Sequence, residues 1–322
     1  MQRLKDLKEV TKAVLSVYNA GVATLMYAYG APALDLVSGG YLACGSCKSY
    51  SVLLACSTQA YNQVIEWKYD QVMVRTKDRP IPQNRFTPMQ GRAISAATGL
   101  AGLACLSHFP VVAPVTGAAI WLSYILVYVP SKRITRYNTH IGAVIGSLPS
   151  YLGWSAATGT LLGVEPFLMA AFMTAWQFPH FYGILWRYKD DFNRAGFQMI
   201  TNVDPNGVKM TTGCTIGAMS MLLTSTGMVA TGLVNWWMYS GAMIYVAPKM
   251  YTAISQFGFV SPTQVPTKEN AWKVTLASYS VIGTLFGLLA ATMLYGKLNQ
   301  VTRETFTRSE KKIYEDAVPC KL

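Results

Sequence analysis

Between Asn62 and Pro80 the chain sets an amide, two carboxylates and then a run of basic groups at the end of a membrane-length apolar stretch. Asn62, Glu66 and Asp70 recur at i, i+4 and i+8, so a helix over this region stacks them on one face. A carboxylate at the centre of a bilayer helix costs on the order of 2.5–3.5 kcal/mol on insertion scales, which argues that such groups are kept for what they do. Their oxygens are hard ligands, and fixed cations follow at once in Arg75, Lys77 and Arg79. Oxygen ligands on one side and cations on the other suit a magnesium-bridged phosphate group. Asp190 and Asp191 form a second acidic pair, beside Arg187 and Lys189, at the end of another apolar run. Read alone they are solvated loop acids. Converging with the first cluster across a bundle, they could hold one or two Mg²⁺ ions with a diphosphate as the remaining ligand.

The elements that must position these groups are membrane helices. The chain is 52% hydrophobic and only 13% charged over 322 residues, which leaves too little charge for the surface of a soluble domain of that size. The net charge of +12 does not indicate nucleic acid, because the basic residues alternate with apolar runs and carry no nucleic-acid motif. A crossing needs about 20 residues. Nine apolar stretches qualify, at 11–30, 42–62, 93–110, 112–130, 140–157, 164–185, 212–232, 234–248 and 272–295. The expectation is an all-α polytopic bundle of about nine spans, with a basic N-terminal segment (1–10), a membrane domain (11–296) and a charged soluble tail (297–322). The eighth stretch is short enough to be partly re-entrant, and 249–271 reads as a mobile insertion. Lys and Arg load the N-terminus and the loops after spans two, four, six and eight, and are missing from the opposite loops. That asymmetry points the loaded face toward the cytoplasm or an organelle's matrix. The basic residues of the tail fall on the wrong side of this scheme.

The segment 62–80 resembles the signature of the intramembrane aromatic prenyltransferases: Asn, an acid, an Asp four on, then Met73-x-Arg75-Thr76 and Arg79. Two more segments are similar to the protoheme IX farnesyltransferase branch of that superfamily. One runs Tyr128-x-x-x-Lys132-Arg133-x-Thr135-x-x-Asn138 and on through Gly142, Gly146, Pro149 and Gly153-Trp154. The other runs Trp176-Gln177-x-Pro179-His180-Phe181, then Asp191-Phe192-x-x-Ala195-Gly196-x-x-Met199. The resemblance covers most of 10–230. It departs at Glu66, where Asp is commoner, and at Phe192, where Tyr is usual. The first span also lacks the Lys-Pro-Arg expected near its start, so no first-helix cation is assigned.

The resemblance implies a nine-span bundle whose central cavity opens to one membrane face and sideways to lipid. It implies joining of farnesyl diphosphate to a vinyl group of heme b, with water adding, to give heme O and diphosphate. Mg²⁺ is the implied cofactor, membrane lipid the implied surroundings, and the enzyme that next oxidises heme O the implied protein partner. Stabilising the departing diphosphate with Mg²⁺ and fixed cations favours the transition state over the substrate. Asn62, Glu66 and Asp70 are assigned to the first metal cluster and Asp191, with Asp190, to the second. Arg75, Lys77, Arg79, Lys132 and Arg133 are the diphosphate candidates, with snorkelling to headgroups as the alternative for each. Arg75 and Arg79 share a face if the helix extends that far. His180 and then His140 are the candidate heme ligands, set against ordinary packing histidines. His108 lies on the opposite membrane side.

Cys44 and Cys47 have redox spacing but sit in an apolar run with no second ligand pair, so packing thiols are the reading there and at Cys56, Cys105 and Cys214. Trp236, Trp237, Tyr239 and Tyr245 read as an interfacial belt. No cleavable leader is visible in the first residues. The insertion and tail tilt the location toward the mitochondrial inner membrane with a matrix-facing site, the bacterial plasma membrane being the alternative. Two other functions compete. A prenyltransferase acting on an aromatic quinone precursor would share 62–80 but leave Trp176–Met199 unexplained. An ion-coupled transporter would use the buried acids, yet the chain has neither inverted repeats nor matched broken helices.

Overall fold

The computed structural model describes residues 2–31, 40–259 and 265–317, and for residues 14, 18, 40–49, 259 and 297–317 the backbone alone. Among the described residues there is no strand. The helices are α1 (Gln2–Val10), α2 (Ala13–Gly30), α3 (Gly40–Asp70), α4 (Pro88–Leu106), α5 (Val112–Ile134), α6 (Asn138–Ser147), α7 (Pro149–Thr158), α8 (Val164–Arg187), α9 (Lys189–Arg194), α10 (Val208–Ala230), α11 (Trp236–Ile254) and α12 (Lys268–Ala317). The protein is an all-α membrane helix bundle. Among the described residues three helices, α5, α10 and the Lys268–Gly296 part of α12, are long and apolar enough by composition to cross a membrane. The other apolar stretches also fall on helices, but they carry the acids, amides and prolines that lower hydropathy, and the count of nine crossings is not reached on composition alone.

Three departures from the sequence reading follow from proline and from packing. The fifth apolar stretch is two helices, because Pro149 cannot donate to the preceding turn and starts α7 instead. The eighth does not stop at 248: α11 carries Pro248 inside it and continues to Ile254, with a π-turn at Ser255–Phe259. Membrane helices tolerate an internal Pro where neighbours satisfy the freed carbonyl. Much of the expected insertion is therefore helix. The charged stretch from 297 to 317 extends α12 as a continuous helix. The Cys44 and Cys47 side chains lie outside the described residues.

The largest core cluster surrounds α8. Met169, Phe172, Met173, Trp176 and Trp186 pack on Met210, Cys214 and Met221 of α10 and on Val274, Ile282 and Leu285 of α12. A second cluster joins α2, α3, α4, α5 and α7 through Tyr27, Tyr50, Leu54, Leu106, Ala113 and Leu152. Gly153 sits where α7 crosses α2 so closely that an added Cβ would collide with the Ala23 carbonyl oxygen. Close approach through small residues is how membrane helices gain packing where lipid offers no hydrophobic drive. Gly146, in the same motif, faces the Gln177 amide, which donates to the Ala143 carbonyl at 2.9 Å. Much of the 142–154 motif thus seats α6 and α7 against α8 and α2.

Candidate active site

The site is built where α3, α5 and α8 end on the same side. In α5 a π-turn at Tyr124–Tyr128 widens the helix just before Lys132. Tyr124 then meets Gln59 (3.3 Å), and about two turns on the Lys132 ammonium passes over the Tyr128 ring at 4.7 Å. Lys132 Nζ donates to Asn62 Oδ1 and to Glu66 Oε1, each at 2.8 Å, and Asn62 Nδ2 donates to Glu66 Oε2 at 2.9 Å. One turn further along α3, Asp70 accepts from Arg79 at 2.7 Å and is buried. The i, i+4, i+8 face is real, and each of its two acids carries its own cation.

The chain leaves the helix after Asp70, so Arg75 and Arg79 do not share a helical face. Residues 71–87 form a string of turns, held by Thr76 Oγ1 donating to the Asp70 carbonyl and by Arg85 N donating to the Pro80 carbonyl. Arg79 turns back to Asp70. Arg75 lies over the Tyr188 and Phe192 rings at 5.3 and 5.8 Å. Asp191 fastens the same loop from across the bundle, accepting from the backbone N–H of Val74 (3.2 Å) and Arg75 (3.1 Å) and from Arg194. Asp70 and Asp191 therefore open onto one mouth. Lys132 O accepts from Gln198 N at 2.9 Å, Asn138 donates to the Gln198 carbonyl, and Arg133 stacks on Tyr69 at 4.2 Å. The first two contacts bind the end of α5 and the start of α6 to the segment after α9, and the third binds the end of α5 to the end of α3. Lys77 is exposed on the loop.

Asp190 stands apart. It is exposed and pairs with Lys268 at 2.6 Å, a hydrogen bond that holds its carboxyl below the usual carboxylate range. Adjacent residues on a helix point about 100° apart, so only one of two consecutive acids can face the loop. His180 packs toward α12: its ring stacks on Trp176 with centroids 4.6 Å apart, and Nδ1 lies 3.1 Å from Ser278 Oγ. His140 is exposed and meets Tyr137 and Phe178 edge-on. Neither histidine touches the acid cluster in these contacts.

One residue of the site escaped sequence reasoning. Lys12, at the α1–α2 junction, lies close enough to Arg79, Lys132, Glu66 and Asp70 to feel all four charges. Its backbone is left-handed (φ 44°), an uncommon conformation for lysine, and it sets the entry angle of α2. The usable signal was a lysine placed directly before the first apolar run. Helix α1 is docked over the mouth as well: Arg85 reaches the buried Asp6 at 3.4 Å, and Gln63 donates to the Glu9 and Val10 carbonyls.

Asn62, Glu66 and Asp70 offer oxygen alone, which fits a hard divalent cation. Among the described residues no three His, Cys, Asp or Glu side chains cluster closely enough to hold a metal by themselves. A divalent cation there would need substrate phosphates and water to complete its coordination shell. The C-terminal ends of α3, α5 and α8 carry partial negative charge that would repel an anion, and Lys12, Arg79, Lys132 and Arg133 offset it. A separate apolar cavity of about 410 Å³ lies among α8, α10, α11 and α12, lined by Met219, Met221, Met243 and Met250 with Ser225 and Tyr239 as polar groups. None of the candidate residues lines it.

The family model for the UbiA prenyltransferase family matches residues 16–274. A relative named protoheme IX farnesyltransferase, from Rhodopirellula baltica, is 33% identical over 76% of this chain and 82% of its own length. The human relative, named protoheme IX farnesyltransferase, mitochondrial, is 34% identical over 64% of this chain and 44% of its own length. Among solved structures, one described as concerning digeranylgeranylglyceryl phosphate synthase in membranes superposes with a TM-score of 0.69, covering 92% of this chain and all of its own at 11% identity. A UbiA homolog from Archaeoglobus fulgidus, bound to GPP and Mg²⁺, superposes with a TM-score of 0.57 over 88% of this chain and 99% of its own at 10% identity. By sequence and by fold, the chain is a membrane-embedded prenyltransferase and belongs to the UbiA prenyltransferase family.

Proposed function

We propose that the protein transfers the farnesyl group of farnesyl diphosphate to a vinyl group of heme b, with addition of water, giving heme O and diphosphate. The observation that carries this reading is the buried alternation of carboxylate and cation, Glu66 with Lys132 and Asp70 with Arg79, at a mouth closed by Asp191. The acceptor rests on the relatives named protoheme IX farnesyltransferase. Breaking the allylic C–O bond sends the electron pair to the diphosphate. Lys132, Arg79 and Lys12, with Arg133, Arg75 and Lys77 at the rim, stabilise that growing charge more in the transition state than in the substrate. Asn62, Glu66 and Asp70 would hold Mg²⁺, which when bound neutralises the diphosphate as a Lewis acid. Asp191 positions the loop that carries Arg75, Lys77 and Arg79. Carbon–carbon bond formation at the vinyl group leaves a porphyrin-side cation that takes up water and releases a proton.

The bond between His180 and Ser278 leaves Nε2 as the ring nitrogen for an axial contact that would orient the heme; His140 is the weaker candidate. Loop charge puts the mouth on the matrix side if the protein is mitochondrial and on the cytoplasmic side if it is bacterial. The test is incubation of the purified protein with heme b, farnesyl diphosphate and Mg²⁺, followed by mass analysis of the porphyrin. A farnesylated, hydrated heme is the expected product. Alkylation of 4-hydroxybenzoate in place of heme would assign the quinone-precursor reading instead.

A further inference from the structure

Lys249 is a cation in the body of α11. It lies little more than one turn before α11 ends at Ile254, and its ammonium rests 3.5 Å from the centre of the Tyr245 ring. Among the described residues no carboxylate pairs with it. Lys273 stands across the groove on α12, level with Gln256 and about two turns along α11 from Lys249, a little over one turn in from the Lys268–Asp190 pair that marks the basic face. It donates to Gln256 at 3.3 Å and lies 3.7 Å from Glu269, whose side chain is itself exposed. Between the two lysines runs a groove of about 450 Å³, open to the outside of the α11–α12 pair. Thr252 and Gln256 supply polar groups at its upper end, and Leu276 and Ala277 an apolar floor.

We propose that this groove binds an anionic membrane phospholipid, its phosphodiester between Lys249 and Lys273 and one acyl chain along the α11–α12 seam over Leu276 and Ala277. An ammonium without a carboxylate partner at the edge of the bilayer draws an anionic headgroup, and a lipid phosphate is the counter-charge the bilayer itself supplies. Basic grooves between membrane helices on the cytoplasmic or matrix side suit acidic headgroups, whose oxygens also accept from hydroxyl and amide donors. The groove lies on the outer side of α11 and α12 and includes no residue assigned to farnesyl transfer, so the inference stands independently of that reading.

The test is native mass spectrometry of the full-length protein in detergent, titrated with phosphatidylglycerol or phosphatidylcholine. The expected result is retention of phosphatidylglycerol over phosphatidylcholine, weakened about fivefold for each lysine neutralised in Lys249→Gln and Lys273→Gln and kept in the double Lys→Arg variant. Equal retention of the two lipids by the unsubstituted protein would overturn the proposal, whether or not the variants fold. So would an unchanged preference in the double Lys→Gln variant. Displacement of phosphatidylglycerol by equimolar heme b would overturn it too, reassigning the groove to porphyrin carboxylates.

Discussion

Lys132 donates from α5 to Glu66 on α3 at 2.8 Å, with both side chains almost wholly withdrawn from solvent. A buried pair of this kind contributes little net stability when intact, but losing one partner strands the other at a cost of about 3–5 kcal/mol. Its persistence at the mouth is better explained by what the ammonium does for a departing anion.

Lys132→Met should therefore lower kcat/KM for farnesyl diphosphate on the order of a hundredfold or more, the scale of removing one preorganised donor to a developing charge. The double variant Glu66→Gln/Lys132→Met should recover thermal stability without recovering turnover. Steady-state assays alongside thermal unfolding in detergent separate the two effects.

Lys12→Met should also reduce turnover, by about tenfold or more, with little change in helix content by circular dichroism. Full activity would show that Lys12 sits near the charges of the mouth without serving the diphosphate.

Asp191→Asn and Asp190→Asn should differ sharply. Asp191 caps the Val74 and Arg75 N–H groups, so its loss should loosen the cation-bearing loop and raise KM for farnesyl diphosphate more than it lowers kcat. Asp190 is exposed on the far side, and its substitution should leave both constants near those of the parent protein.

The Asp190–Lys268 pair should add at most about 1 kcal/mol, as exposed pairs do. The carboxyl is held below its ordinary value, so the contribution is complete above the unfolded pKa of an aspartate and fades as the pH falls through the folded one. Unfolding of Asp190→Asn and the parent should thus converge on acidification below about pH 4.

Gly153→Val should destabilise the bundle by about 1–3 kcal/mol or more, because backbone and not a flexible side chain opposes the new methyl groups. Thermal unfolding measures it, and unchanged stability would mean that α2 and α7 can part without cost.

The acid face of α3 was legible because a fixed spacing of four maps directly onto one side of a helix. The partners of those acids were not, since Lys132 and Arg79 reach them only through the turns after Asp70 and the crossing of α5. Asp191 was preferred to Asp190 from the Asp191-Phe192 motif alone, and the rotation between neighbours on a helix is what sends the two acids to different partners. The eighth stretch was bounded at 248 by its apolar run, whereas its helix carries Pro248 inside it and runs on through polar residues to Ile254. Lys12 looked like one more inside-positive charge until the bend at its own backbone placed it over the mouth.

The π-turn at Tyr124–Tyr128 sets the phase of everything beyond it in α5. An extra residue in one turn rotates the downstream face by about 100° relative to a regular α-helix. Were that turn to tighten to ordinary pitch, Lys132 would swing off Glu66 and present its charge to lipid. A five-residue irregularity a full turn away thus decides whether Glu66 keeps its cation.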